Sequence, residues 1–156
     1  RLARNSTPVI TTEETPFEIG KAQIVFVPES GLANVGIIAT GTILYKAIMA
    51  ARDLQKKGIK VKVMNLSTIK PLDNQSVLAL AKETKAIVTV EDHQIAGGMG
   101  SAVAECLAMN YSVPIEFVGV GDKFGQSGTP AELEKHYKID ISDITEKVEK
   151  ILKRKN

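Results

Sequence analysis

Tryptophan is absent, aromatic residues make up only 4% of the 156 positions, and cysteine occurs once, as Cys106. So few rings leave little for the bases of single-stranded nucleic acid to stack on. A lone cysteine excludes an internal disulfide and cannot build a thiolate zinc site by itself, which fits a reducing, cytoplasmic setting. Charge of one sign is lacking too: Lys and Arg number 20 against 18 Asp and Glu, for a net +2. The only local excess is the basic end Leu152-Lys153-Arg154-Lys155-Asn156, so nothing in the balance calls for a nucleic-acid partner. No apolar run reaches the roughly 18 residues that cross a bilayer. No signal peptide with a charged start and an apolar middle is visible either, and no membrane partner is expected.

What is present is a 44% apolar chain of single-domain size, long enough to bury a core. Its first residue is Arg1 rather than Met, and the expectation is a piece of something longer. Residues 1–20 mix Pro, Thr and Glu without a useful period and read as a linker. From Lys21 the pattern becomes regular. Short apolar runs at KAQIVFV, VGIIATG (35–41), IKVKVMNL (59–66), AIVTVE (86–91) and IEFVGVG (115–121) predict strands. Between them, Leu44, Ile48, Ala51 and Leu54 recur at helical spacing, with Gly58 as the terminator. Asp73 is placed to cap a second helix, and a third is expected near 99–109. Thr129-Pro130-Ala131-Glu132 has the form of a capping box with proline in the first turn. Ile141, Ile144, Val148 and Ile151 form the stripe of a last helix. Strands alternating with helices predict a three-layer α/β/α fold around a mostly parallel sheet of about five strands.

In such a sheet, ligands sit beyond the carboxyl ends of the strands, where helix N-termini offer unpaired N–H groups. Glu91-Asp92-His93, Gly97-Gly98-Met99-Gly100-Ser101, Thr40-Gly41-Thr42 and Gly119-Val120-Gly121-Asp122 all fall there. A dinucleotide fingerprint is incomplete, because Val103 stands where a third small residue belongs, and there is no P-loop lysine. The glycines serve equally as conformational relief in a tight strand-to-helix turn. His93 could act as a general base beside its acidic neighbours, but no Ser or Cys stands in a recognisable nucleophile elbow. Asp92 and His93 lack the further ligands that a metal needs. Cys106, among Val103, Leu107 and Met109, reads as core filler.

VEDHQIAGGMGSAVAECLA, preceded by NLSTIKPLD and followed by GVGDKFGQSGTPAELEKHY, resembles the C-terminal domain of transketolase, and the resemblance runs over nearly the whole chain. It implies residues 1–20 as interdomain linker and tail of a pyrimidine-binding domain, and residues 21–156 as the third, α/β domain. It implies an enzyme that moves a two-carbon ketol unit between sugar phosphates with thiamine diphosphate and Mg²⁺. Those cofactors lie between the first two domains of a dimer, so no catalytic or metal-binding residue is expected in this chain, and the chain alone is expected to be inactive. The implied partners are the N-terminal diphosphate-binding domain or subunit, in a homodimer or heterotetramer.

On this reading Gly97, Gly98 and Gly100, with Glu91, Asp92 and His93, form a structural loop at an interdomain or subunit face. Arg4, in RLARN, matches the arginine that holds the sugar's terminal phosphate, a task suited to a guanidinium fork. Deoxyxylulose-phosphate synthases and 2-oxoacid dehydrogenase beta subunits share this domain more loosely. The absence of Pro and Gly around Arg4, together with STIKPLD, favours transketolase, and the EDH-x-x-x-GG region leans toward the C-terminal subunit of a split, two-subunit form. Two other readings remain open here: a stand-alone anion or nucleotide module using residues 40–42 and 97–101, and a purely oligomerising domain.

Overall fold

Val35–Thr40 carries no charge and is buried at every position but the last. A run of this kind suits a strand covered on both faces. In the computed structural model, which describes residues 6–155, it is β2, the centre of a five-stranded sheet. The other strands are β1 (Gln23–Phe26), β3 (Val61–Asn65), β4 (Ile87–Gln94) and β5 (Ile115–Val120), in the order β1-β3-β2-β4-β5. All neighbours run parallel except β1, which pairs antiparallel with β3 and forms one edge.

Successive side chains on a strand point to opposite faces. Ile37 therefore enters one core and Ile38 the other. The first core lies under α1 (Leu44–Lys56) and α5 (Ile141–Lys155), where Leu44, Ala51 and Leu54 meet Ile144, Val148 and Ile151 over Val61, Val63 and Val88. The second lies under α2 (Asn74–Thr84) and α3 (Met99–Asn110), where Val77, Leu80, Val103 and Leu107 cover Met64 and Ile87. The predicted three layers are present. Burying one such Leu or Ile contributes about 1.5–3 kcal/mol, so each face is a substantial source of stability. Gly36 sets how closely α2 approaches β2, because a Cβ there would lie 2.8 Å from Leu80 Cγ.

The punctuation expected from sequence is in place. Gly58 follows α1 with φ +79°. Asp73 caps α2 by accepting from Ser76 N at 3.1 Å, and its other oxygen takes Ser76 Oγ at 2.8 Å and Ala22 N at 2.9 Å. Burial pushes the Asp73 carboxyl up, but these three donors outweigh it and hold the group below the usual range. Thr129 and Glu132 complete the capping box of α4 (Pro130–His136), a helix with no buried residue.

The basic end has a structural role that composition did not reveal. Lys147 and Lys150 reach Oε2 of the buried Glu116 at 3.3 and 3.0 Å, and Arg154 bonds its Oε1. Burial pushes the Glu116 carboxyl up, but Lys150, Arg154 and Lys147 together hold it below its ordinary range. Lys155 donates to the carbonyls of Asn34 at 2.9 Å and Thr84 at 2.7 Å. No helix among the described residues is long and apolar enough to cross a membrane.

Candidate functional site

The chain leaves β2 in one direction to reach β3 and then crosses back to β4 on the other side. The carboxyl ends of β2 and β4 thus flank the point where strand order reverses, the usual crevice for ligands in this architecture. Thr40 and Glu91 are register partners there.

Sequence predicted that the strand would stop at Glu91 and give way to a loop. Instead β4 continues to Gln94, so Glu91, Asp92 and His93 are strand residues. The physical reason is an irregularity against β5: the register moves from Val90↔Val118 to Gln94↔Val120, leaving extra residues on the β4 side. A bulge of this kind re-aims side chains. Glu91 turns inward and is only 2% exposed, which differs from its expected place on an interface loop.

Its carboxylate lies across the start of α3. Met99 N donates to Oε2 at 2.7 Å and Gly100 N donates to Oε1 at 2.8 Å. The residue preceding α3, Gly98, has no side chain to offer as a cap, so a carboxylate from a neighbouring strand satisfies the first N–H groups instead. These are charge-assisted bonds, and the negative charge also meets the positive end of the helix dipole.

The glycines are fitted to this carboxylate. A Cβ on Gly98 would stand 2.3 Å from both Glu91 Oε2 and the Gln94 carbonyl oxygen. One on Gly100 would stand 2.6 Å from Thr89 Oγ1 and 3.1 Å from Glu91 Oε1. Gly97 answers a different need: it has open space around it but a φ of +75°. Ser101 Oγ holds the same turn by accepting from Gly97 N at 3.0 Å and donating to the Ile95 carbonyl at 2.8 Å. The place where a dinucleotide fold receives a phosphate is filled by the protein's own acid.

The remaining candidates lie on the rim. Asp92 is exposed and sits 3.5 Å from Thr42 Oγ1, while Gln94 Nε2 donates to Asp122 at 3.3 Å. The His93 ring is 42% exposed, with Nδ1 3.0 Å from the Gln94 carbonyl and 4.0 Å from Glu91 Oε2. Among the described residues no hydroxyl or thiol nucleophile is hydrogen-bonded to His93, and none of them form a group of three or more His, Cys, Asp and Glu able to hold a metal. Cys106 is buried on α3, where burial pushes its thiol up, as expected of an unreactive core residue. Arg4 lies outside the described residues.

Sequence reading missed one feature beside this rim. Lys46, in the first turn of α1, binds Glu134 at 2.6 Å and Asp140 at 2.7 Å and so ties α4 and the start of α5 to α1. Burial lowers the Lys46 affinity for its proton, but the two carboxylates more than restore it. No local signal was available, because Lys46 lies off the apolar stripe of α1 and its partners stand 88 and 94 residues away.

These features define an open, doubly wound α/β domain in which Glu91 occupies the N-terminus of α3 beside the point where strand order reverses. The chain belongs to the transketolase C-terminal domain family, whose model matches residues 28–144. It is 38% identical, over 100% of its length, to a 6-deoxy-6-sulfo-D-fructose transketolase subunit from Clostridium sp. (strain MSTE9), covering 47% of that protein. It is 37% identical over 99% of its length to a protein of Methanocaldococcus jannaschii described as a transketolase C-terminal section, covering 48% of it. Among solved structures, a split-gene transketolase in an inactive β4 tetramer superposes with a TM-score of 0.90 at 35% identity, over 98% of this chain and 49% of that one. The chain thus spans about half the length of these relatives.

Proposed function

We propose that the chain serves as the C-terminal domain of a thiamine-diphosphate-dependent transketolase of the split type, which transfers a two-carbon ketol unit between sugar phosphates in the cytoplasm. The observation that carries this reading is the match of residues 28–144 to the transketolase C-terminal domain family, and what bears on the alternative is the inward carboxylate of Glu91. It uses the N–H groups that a nucleotide-binding module would need and so argues against a stand-alone anion site. Thiamine diphosphate, when bound to the complete enzyme, supplies the carbanion that accepts the ketol unit. On this reading both cofactors are held by the other domains of the complete enzyme, leaving an architectural part to the residues of this chain. No chemical step is assigned to them.

The domain's task on this reading is architectural: it completes an assembly with the diphosphate-binding domain or subunit, as a homodimer or heterotetramer. Arg4 holds the phosphate of the incoming sugar. Deoxyxylulose-phosphate synthases remain distinguishable by their substrates. The test is a coupled assay with ketose and aldose phosphates, run on this chain alone and on the complete protein reunited with the other domains. Ketol transfer only in the complete protein is expected. Turnover by the chain alone, or condensation of pyruvate with glyceraldehyde phosphate instead of ketol transfer, would overturn the proposal.

A further inference from the structure

Between β5 and α5 the chain makes an excursion that buries almost nothing. Every residue from Gly121 to Glu132 is exposed, Phe124 completely so, and α4 has no buried residue. The chain returns to the first core at Tyr137, which packs partly buried against it, and at the buried Ile139.

The bonds of this segment are largely its own. Leu133 N, Tyr137 N and Lys138 N donate to the carbonyls of Thr129, Leu133 and Lys135 at 3.0, 2.9 and 3.2 Å, and the Tyr137 hydroxyl donates to the Phe124 carbonyl at 3.0 Å. Leu133 packs on Gly128, where a Cβ would stand 3.1 Å from Leu133 Cδ2. Among the described residues, residues 121–138 are hydrogen-bonded to β4 and α1 through two side-chain contacts. Gln94 Nε2 donates to Asp122 at 3.3 Å, and Lys46 Nζ donates to Glu134 at 2.6 Å. The first is long for its type, so the short, charge-assisted pair is the main tie.

Lys46 can release Glu134 without being left alone. Its ammonium also holds Asp140 at 2.7 Å, and Asp140 stays with α5, where it accepts from Ile141 N at 2.8 Å. Breaking a half-buried pair is costly when it leaves a charge uncompensated. Here Asp140 still neutralises Lys46, and Glu134 returns to water. Both ends of the segment suit a pivot. A Cβ on Gly121 would meet nothing within 4 Å, and Lys138 is held at φ +56°, a left-handed strain that opening relieves. We infer that residues 121–138 are a strap, latched to the first turn of α1 by the Lys46–Glu134 pair, which opens as one unit while both cores stay closed. With seven residues, α4 is too short to persist in water by itself, so opening frees its amides.

Hydrogen–deuterium exchange tests it on the 156-residue chain, whose two cores are covered by its own helices. In the parent protein the amides of Leu133 and Tyr137 should exchange well ahead of those in α1 and α5, because local opening requires less free energy than global unfolding. Glu134→Ala, which keeps a strong helix former in α4, and Glu134→Gln should each speed the strap amides about fivefold, the upper range for one ion pair near a surface. Peptides from α1 and α5 should not change. Lys135→Ala, at an exposed position outside the pair, should alter neither set. Strap amides as slow as those of α1 in the parent protein would overturn the inference. So would equal acceleration of strap, α1 and α5 in the Glu134 variants, or no acceleration at all.

Discussion

Glu91 Oε2 lies 2.7 Å from Met99 N, eight positions further along the chain and across the turn from β4 into α3. The turn is therefore stabilised by a charge that belongs to the sheet. Removing that charge while keeping the shape, in Glu91→Gln, points a donor at a helix N–H and should cost about 1–3 kcal/mol. For a domain of this size, that lowers the melting temperature by roughly 2–12 °C. Thermal unfolding followed by circular dichroism checks it, and an unchanged melting temperature would show that the cap does not stabilise the domain.

Gly100→Ala forces a methyl group toward Thr89 Oγ1. Overpacking of this kind costs about 1–3 kcal/mol. The Thr89 hydroxyl is buried without a hydrogen-bond partner, so Thr89→Ala gives up little and opens room. The double variant should recover part of the loss. Gly98→Ala meets the Gln94 backbone oxygen and should not be rescued by the same change. Urea denaturation of the four variants measures the coupling.

Acid should weaken the domain through Glu116. Its folded carboxyl ionises below the ordinary glutamate value of 4.5. The unfolded chain therefore takes up protons first as pH falls. The stabilisation is fully present above about 4.5 and is lost as pH drops from there through the lower folded value. Asp140, held down chiefly by Lys46, adds to the same slope. In Glu116→Gln, stability near neutral pH should fall and its pH dependence below 4.5 should flatten. Equal slopes for the variant and the parent protein would contradict the account.

Arg4→Ala in the complete enzyme should raise KM for phosphorylated sugars well above its effect on unphosphorylated ones. A guanidinium that holds a phosphate contributes only when the phosphate is present. Steady-state kinetics on both substrate types decides it, and equal effects would assign Arg4 to the linker.

The layers of the fold were legible because burial follows period. Leu44, Ile48, Ala51 and Leu54 could face only one way on a helix, and the uncharged β2 run could lie only in the middle of a sheet. Caps were legible where the partner is local, as at Asp73 and Thr129. The cap of α3 was not, because its acid comes from a strand and reaches the helix through a bulge that no short-range spacing encodes. Glu116 was missed for the same reason: its counter-ions stand more than thirty residues away on α5. Conformational relief was expected of the glycines and Gly97 has the positive φ for it, but no short-range pattern shows that the residue Gly98 and Gly100 accommodate is Glu91.

Lys155 closes the molecule in time as well as in space. Its ammonium spans 121 residues to reach the Asn34 carbonyl, and α5 supplies Ile144, Val148 and Ile151 to the core under α1. During synthesis at about 5–20 residues per second, the central strands emerge seconds before the helix that must cover them. Until that helix leaves the ribosome, the part of this face beside α1 that α5 covers remains open to chaperones or to other nascent chains. A domain closed by its last helix acquires its cooperative stability all at once and late.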